Sequence, residues 1–512
     1  MTFFESLLAL LLAAIVLLQV SRRLTVPYPA MLAGAGVIVA LVPGTPTITL
    51  DPQTALALFI APALLDAAFD FPIGAAARLW RPLVMLAVVA VLSTTALVAW
   101  VGWAYAGLPL AAAVALGAIV APPDAAAATA VIGSVSVPRS SAAVLKGESL
   151  FNDATALLLF SEAVAVQSHG TLTGHDAIEL AIAAPGGILL GVALAFAARW
   201  ANRFVTGTLG GNVLQFVNAF LAWIVAEHLH LSAVLCVVAF AMTVARSDES
   251  GGNPRMRVQS YAVWSMAVFL LNVLAFLLMG MQAKVILARM PPDRLGEALG
   301  FAGAVVAATV VARFAVVLGY NRLAARFRAL RGETEPATLK QGVLVSWSGM
   351  RGLVTLATAF ALPHDFPQRD LVVLTAFCVV LATLVVQGMT LAPIIRWLGL
   401  ESSNTLHGEI ADARGRLRSA ALATVKDVDG PEAGHLRFFY RIERKAADDP
   451  DTPTFGRFRE LGLAAIAAER ACLEKMRVEH RIDADGFGLL QEELDWRELT
   501  LLPEDDRQIE ES

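Results

Sequence analysis

GAIVAPPDAAAATAV, starting at Gly117, and GESLFNDATALLLF, starting at Gly147, are two stretches hydrophobic enough to span a bilayer. Both carry carboxylates: Asp124 in the first, Glu148 and Asp153 in the second. An ionisable group near the bilayer centre costs about 2.5–3.5 kcal/mol even on insertion scales. Such groups persist for a job: an ion site, a proton relay or a buried pair.

The rest of the chain fits this membrane setting. Of 512 residues, 57% are apolar and 16% charged, against about 25% charged in soluble domains. The mean hydropathy is +0.65. Charge is uneven. Residues 401–512 hold 16 Lys/Arg and 25 Asp/Glu, whereas residues 1–400 hold 23 and 19. We expect two domains: a transmembrane domain over 1–400 and an acidic, cytosolic, helical tail over 401–512. The first apolar segment, Phe3–Val20, lacks a basic leader and a small-residue cleavage site, so it reads as a first spanning helix. Cys236, Cys378 and Cys472 are scattered and suggest neither disulfides nor a metal site. Nothing points to nucleic acid or to a cofactor.

Hydropathy predicts an all-α polytopic protein of about 13 spans, or 12 if the short ones merge. They fall near 3–20, 28–42, 54–71, 82–104, 109–134, 143–167, 177–200, 212–229, 231–245, 261–287, 297–320, 340–362 and 370–398. One set of alternate loops carries sixteen Lys/Arg, including Arg22, Arg78, Arg139, Arg199, Arg246 and Arg322; the opposite set carries only Lys284, Arg289, Arg294 and Arg369. Positive loops stay inside, which places the N-terminus outside and the tail in the cytoplasm. Lys284 is an exception: either its span ends early or the residue is buried. In the tail, Ile410–Val425 and Arg457–Arg481 read as amphipathic helices, with Phe458, Leu461, Ile466, Leu473 and Met476 on one face and a loop at Asp448–Pro453 between them.

Pro122 and Pro123 fall in mid-span, where proline removes a donor and breaks a helix. Unwound backbone at that depth survives only inside protein or beside a cavity. Asp124 then sits at a new half-helix N-terminus, either as a plain cap or as part of a midplane ion site. In the second stretch, Glu148 and Asn152 share one helix face, and Ser149 and Asp153 the adjacent one. Such oxygen ligands suit a hard monovalent cation such as sodium. SWSGMRG, from Ser346, puts Gly349, Arg351 and Gly352 in a second interrupted helix. Arg351 is the natural partner of Glu148, a structural pair. Asp153 is the acid without a base of its own. Asp66, in PALLDAAFD, is a further polar contact for the cavity, whereas Asp70 suits a helix end.

These residues resemble the monovalent cation/proton antiporters, in the branch of bacterial sodium/proton antiporters and animal sodium/hydrogen exchangers. Gly147–Asp153 matches the family's Gly-Glu-Ser-Leu-x-Asn-Asp run, Ala121–Asp124 its Ala-Pro-Thr-Asp-like run, and Trp347–Gly352 its Trp-x-Gly-x-Arg-Gly run. Leu65–Ala68 is similar to a Leu-Phe-Glu-Ala-like run, with Asp66 for Glu. The resemblance implies inverted repeats, two crossed discontinuous helices, and a core domain moving against a dimerisation domain in a homodimer. It implies Asp153 as carrier of proton and cation, Asn152 as its neighbour, Asp124 as a second cation ligand, and Glu148 with Arg351 as an ion pair. The Asn-Asp form implies electroneutral exchange serving pH homeostasis. Pro123 replaces the usual Thr, losing a hydroxyl, so potassium stands beside sodium as substrate. A passive channel, a membrane sensor and an intramembrane aspartyl protease are the rivals; the protease's Tyr-Asp and Gly-x-Gly-Asp patterns are absent. The partners expected are the bilayer of the inner membrane, a second copy, and a regulatory ligand or protein at the tail.

Overall fold

The computed structural model describes residues 3–24, 28–41, 52–71, 73–124, 128, 137–170, 174–205, 209–248, 254–331, 335–400, 405–448, 453–479 and 481–502. Among them all regular structure is helical. The chain divides into two compact units, Met1–Glu401 and Ser402–Glu511.

In the first unit the helices are α1 (Phe3–Leu24), α2 (Tyr28–Leu41), α3 (Pro52–Phe69), α4 (Ile73–Val84), α5 (Val91–Ala106), α6 (Leu110–Val120), α7 (Arg139–His169), α8 (Gly174–Asn202), α9 (Leu209–His228), α10 (Ala233–Asp248), α11 (Pro254–Arg289), α12 (Pro292–Arg326), α13 (Leu339–Trp347), α14 (Leu353–Phe360), α15 (Arg369–Ala382) and α16 (Gly388–Leu398). A π-helical turn at Met85–Ala90 joins α4 to α5, and another at Thr383–Gln387 joins α15 to α16. So each of these pairs crosses as one rod.

Among the described residues, six helical rods are long and apolar enough to cross a bilayer, and six shorter apolar helices of 10–17 residues accompany them. The expected span at 109–134 is helical over Leu110–Val120, and most of its second half lies outside the described residues. The expected span at 340–362 is two short helices, α13 and α14. Lys284 is not buried: it is exposed on α11, which runs on to Arg289.

Two large apolar cores, with two small satellites, fill the described part of this unit. One gathers α2, α5, α6, α11, α12 and α15, with Leu116, Phe276, Val305 and Leu374 buried. The other gathers α3, α8, α9 and α10 around Trp223 and Val237. Helix α7 gives Leu150 and Ala154 to the second core and Phe160 and Ala163 to the first. Helix α14 likewise packs on both. The polar residues of α7 and α14 are therefore held between two rigid bodies of side chains.

Lipid tails supply no hydrophobic drive for helix association, so close backbone approach matters. Gly36 of α2 and Gly280 of α11 show it. A Cβ on Gly280 would lie 2.1 Å from the Ala33 carbonyl oxygen, and one on Gly36 2.3 Å from that of Leu277. Trp100, Trp103, Tyr105, Trp200 and Trp397 are exposed near helix ends, as aromatic side chains at a bilayer interface are.

Among its described residues the second unit has four helices, α17 (Thr405–Thr424), α18 (Pro431–Asp448), α19 (Pro453–Val478) and α20 (Ala484–Leu501). Sequence reading found α17 and α19 and missed the other two. Ile466, Leu473 and Leu494 are its buried centre. Leu461, expected on the same face, is 55% exposed. Much of the expected loop at 448–453 lies outside the described residues.

Candidate ion site at the crossing of two broken helices

Helix α6 stops at Val120, and Ala121, Pro122 and Pro123 continue as buried, non-helical chain. Its last carbonyls lack intrahelical donors and carry the negative end of the helix dipole. Arg351 fills that end. Its Nε donates to the Val120 carbonyl at 3.0 Å and its Nη2 to that of Ala121 at 3.3 Å, while Nη1 donates to the Gly349 carbonyl. The Arg351 backbone N–H donates to Thr383 Oγ1 at 3.0 Å, at the π-helical turn.

The other broken helix is treated in mirror fashion. Helix α14 begins at Leu353 with a positive dipole end and free N–H groups. Asp124 meets it: Oδ2 accepts from the Leu353 N–H at 3.3 Å. The Asp124 N–H donates to the Met350 carbonyl at 2.7 Å. A Cβ on Gly352 would lie 1.6 Å from Asp124 Oδ2, so only glycine leaves room for this carboxylate. From sequence, Asp124 stands at the start of its own half-helix, either as a plain cap or as part of a midplane ion site. In the structure its carboxylate caps the partner break, and residues 125–127 and 129–136 lie outside the described set.

Helix α7 brings the remaining polar groups. Asn152, wholly buried, donates from Nδ2 to the Pro123 carbonyl at 3.0 Å. Its Oδ1 is buried with no partner among the described residues. Asp153 is 5% exposed and makes no hydrogen bond or ion pair among the described residues. The nearby charge that acts on it is that of Asp124. Ser149 is half-buried on the same helix. Asp66 is half-buried near the end of α3, which packs against α7 and α14.

The expected Glu148–Arg351 pair is not formed. Glu148, 1% exposed, takes a bidentate pair from Arg313 of α12: Nη1 to Oε1 at 2.6 Å and Nη2 to Oε2 at 2.9 Å. Arg313 also donates to the Val345 carbonyl, from Nε at 3.1 Å and Nη2 at 2.9 Å. A planar fork of five donors can hold a carboxylate and a carbonyl at once. Arg351 meanwhile has its charge matched by the end of α6, which lies nearer to it than any carboxylate. Gly349 makes room for both arginines: a Cβ there would lie 2.4 Å from Arg313 Cδ and 2.9 Å from Arg351 Nη1.

Arg313 was missed. Its only sequence signal is a lone arginine inside a span, the same signal Arg351 gives. Two other buried groups were also missed. Thr355 Oγ1 on α14, and both amide atoms of Gln387 at the π-helical turn, have no partner among the described residues.

The model of the family described as "Sodium/hydrogen exchanger, transmembrane" matches residues 8–397. An uncharacterized Na(+)/H(+) exchanger of Mycobacterium tuberculosis is 29% identical, covering 97% of this chain and 96% of its own length. The sodium, potassium, lithium and rubidium/H(+) antiporter of Bacillus pumilus is 28% identical, covering 91% and 73%. Among solved structures, the sodium proton antiporter MjNhaP1 from Methanocaldococcus jannaschii superimposes with a TM-score of 0.59 at 19% identity, over 78% of this chain and 99% of that one. That likeness is one of fold.

Proposed function

The chain belongs to the sodium/hydrogen exchanger family, multi-pass membrane transporters rather than enzymes, and from that premise we propose that it exchanges a monovalent cation for a proton, with Asp153 as the carrier of both. The observation that carries this reading is the state of Asp153. It is buried between two apolar cores, beside Asn152 and Asp124, and among the described residues no basic group takes its charge. Every other ionised group at the crossing has a partner. Glu148 has Arg313, Arg351 has the end of α6, and Asp124 has the start of α14. Asp153 is left to be neutralised by a proton or by a cation. Only the occupied site crosses a low-dielectric barrier cheaply, so the two fluxes are coupled as access alternates.

The cation would be held by oxygens of Asp153 and Asp124, with Ser149, Asn152 Oδ1 and Asp66 within the same group of helices. Sodium is the first candidate. A broader range that includes potassium is favoured by the Bacillus pumilus relative, whose name covers four alkali cations, and by Pro123, which offers no hydroxyl. With Asn152 beside it, Asp153 is the single titrating group, and exchange is electroneutral. The protein sits in the inner membrane as a homodimer, N-terminus outside and tail in the cytoplasm.

The test is flux in reconstituted vesicles. A sodium or potassium gradient should drive proton movement in the opposite sense, and an imposed potential of 100 mV should not drive it uphill. A second titrating carboxylate would couple to voltage by about 2.3 kcal/mol per charge at that potential. No cation-dependent proton flux at any pH would reject the antiport reading. Voltage-scaled flux would reject electroneutrality alone.

A further inference from the structure

Away from the crossing, the first unit holds a cavity of about 980 Å³ formed where three connections meet: the end of α5, the link between α11 and α12, and the link between α14 and α15. It is lined by Arg289, Arg294 and Arg369. These are three of the four Lys/Arg in the loop set that is otherwise poor in basic residues, Lys284 being the other. Basic residues in such loops work against orientation. Arg369 lies far along the chain from Arg289 and Arg294, yet all three line one place.

Their partners are few. Arg289 reaches Asp370 at 3.9 Å, with both side chains about half exposed. Arg369 donates from Nε to the Leu362 carbonyl at 3.0 Å and from Nη2 to that of Phe360 at 3.2 Å, which fixes it at the end of α14. Its Nη1 has no partner among the described residues. The charges of Arg289 and Asp370 both act on Arg369. Arg294 is exposed at the cavity wall, and its guanidinium makes no hydrogen bond or ion pair among the described residues. Glu297 also lines the cavity.

Two features mark the depth and the build of this place. Tyr105, on the wall, is 63% exposed and stacks on Phe301 at 5.9 Å, the position of an interfacial aromatic. Gln368, also on the wall, has φ of 50°, a left-handed conformation uncommon for any residue but glycine. It donates to the Ala106 carbonyl at 3.4 Å, tying the α14–α15 link to the end of α5. Backbone held in such a region is found where the surroundings over-determine it, as at ligand clamps.

We propose that this cavity binds a phosphate oxyanion at headgroup depth, held by Arg289, Arg294 and Arg369. Guanidinium forks pair with phosphate oxygens in a bidentate way. Two sources share this chemistry, the phosphodiester of an anionic lipid and free inorganic phosphate. The site is separate from the ion crossing, and its test has no flux readout, so it stands or falls apart from the antiport reading.

The full-length protein is placed in nanodiscs of phosphatidylcholine, and its melting temperature is followed in two ways. Inorganic phosphate is added against chloride at matched ionic strength, or phosphatidylglycerol replaces the lipid in steps, the wild-type shift being read at about a tenth. At least one should raise the melting temperature of the wild type. A shift with phosphate identifies a free anion, and a shift with phosphatidylglycerol alone identifies the headgroup. Arg294→Gln and Arg289→Gln should melt like wild type in plain phosphatidylcholine. Each should need about fivefold or more of the effective ligand for the same shift, as loss of one charge-assisted contact requires. Arg322→Gln, in the opposite loop set, should respond as wild type does. The proposal is overturned if neither ligand shifts the wild type. It is also overturned if Arg289→Gln/Arg294→Gln keeps the full shift, or if Arg322→Gln weakens it as much as Arg294→Gln.

Discussion

Glu148 and Asp153 lie five residues apart on one helix, and the structure treats them in opposite ways. Glu148 is closed: both oxygens are taken by Arg313, which is anchored in turn on the Val345 carbonyl. Asp153 is left without hydrogen bond or ion pair among the described residues. Five residues on a helix is a rotation of 500°, or 140° beyond one full turn at 3.6 residues per turn. So the two acids meet different neighbours. A buried charge with a fitted partner is inert, because any change would strand the other half. A buried charge without one must be neutralised from outside. One helix thus carries a fastener and a working group side by side.

The largest expected effect breaks the comparison at its working end. Asp153→Asn keeps the shape and removes the charge, so it should fold, insert and melt close to wild type. Cation-driven proton flux should fall by at least a hundredfold. A variant with more than a tenth of wild-type flux would show that another acid carries the proton.

Next is the glycine that admits Asp124. Gly352→Ala puts a methyl group onto that carboxylate. It should lower exchange by tenfold or more, with a smaller loss of stability, because the Asp124 side chain can swing away. If Gly352→Ala exchanges like wild type, the cap that Asp124 gives to α14 is dispensable.

The fastener is tested by stability. Glu148→Gln and Arg313→Gln should each destabilise by about 3–5 kcal/mol, since each leaves a charge buried alone. In Glu148→Gln/Arg313→Gln the loss should be well short of the sum of the singles, whereas Glu148→Gln/Arg351→Gln should come closer to additive. Melting curves in detergent for these four variants and for Arg351→Gln decide between the two arginines. The reverse pattern would restore Arg351 as the partner.

The smallest effect lies in the second unit, where charges pair in water. Arg470 binds Asp495 at 2.5 Å and also Glu498, and these two carboxylates hold its guanidinium above its usual value. The side chain is 29% exposed. Solvent screens such pairs, so Arg470→Met should cost about 1 kcal/mol or less. Hydrogen exchange of α20 should quicken by less than about tenfold. A larger change would mean that this bridge holds the four helices more firmly than Ile466, Leu473 and Leu494 do.

Particular residues show why parts of the molecule were legible. Pro122 and Pro123 announce a helix end because the missing donor and the ring clash are local facts, and α6 stops just before them. The Ser346–Gly352 run announces another in the same way, and α13 ends at Trp347. Buried acids are legible from composition, since a charge inside twenty apolar residues has nowhere exposed to go. Helices α18 and α20 were overlooked for different reasons: α18 is strongly amphipathic, so its pattern was there to be read, whereas α20 has little amphipathic signal and only packing tells which side is covered. The cavity at Arg289, Arg294 and Arg369 left a trace in sequence as an exception to the charge rule, but not as a site.

The sequence by itself determined that this chain crosses a membrane, where its two helices break, and that Asn152 and Asp153 would face the break that carries Asp124. Those follow from local chemistry: hydropathy, proline and glycine backbone, and the spacing of side chains on a helix. Which charge answers which was decided by tertiary structure alone. Arg313 and Arg351 are each a single arginine in an apolar span, and although only Arg351 sits in a glycine-flanked break, neither setting says which acid it faces. Arg313 lies 165 positions from Glu148 and reaches it because α7, α12 and α13 pack side by side. Arg351 is turned instead to the carbonyls of α6, and Asp124 to the first N–H of α14. The dipole ends they neutralise exist only where the two broken helices cross.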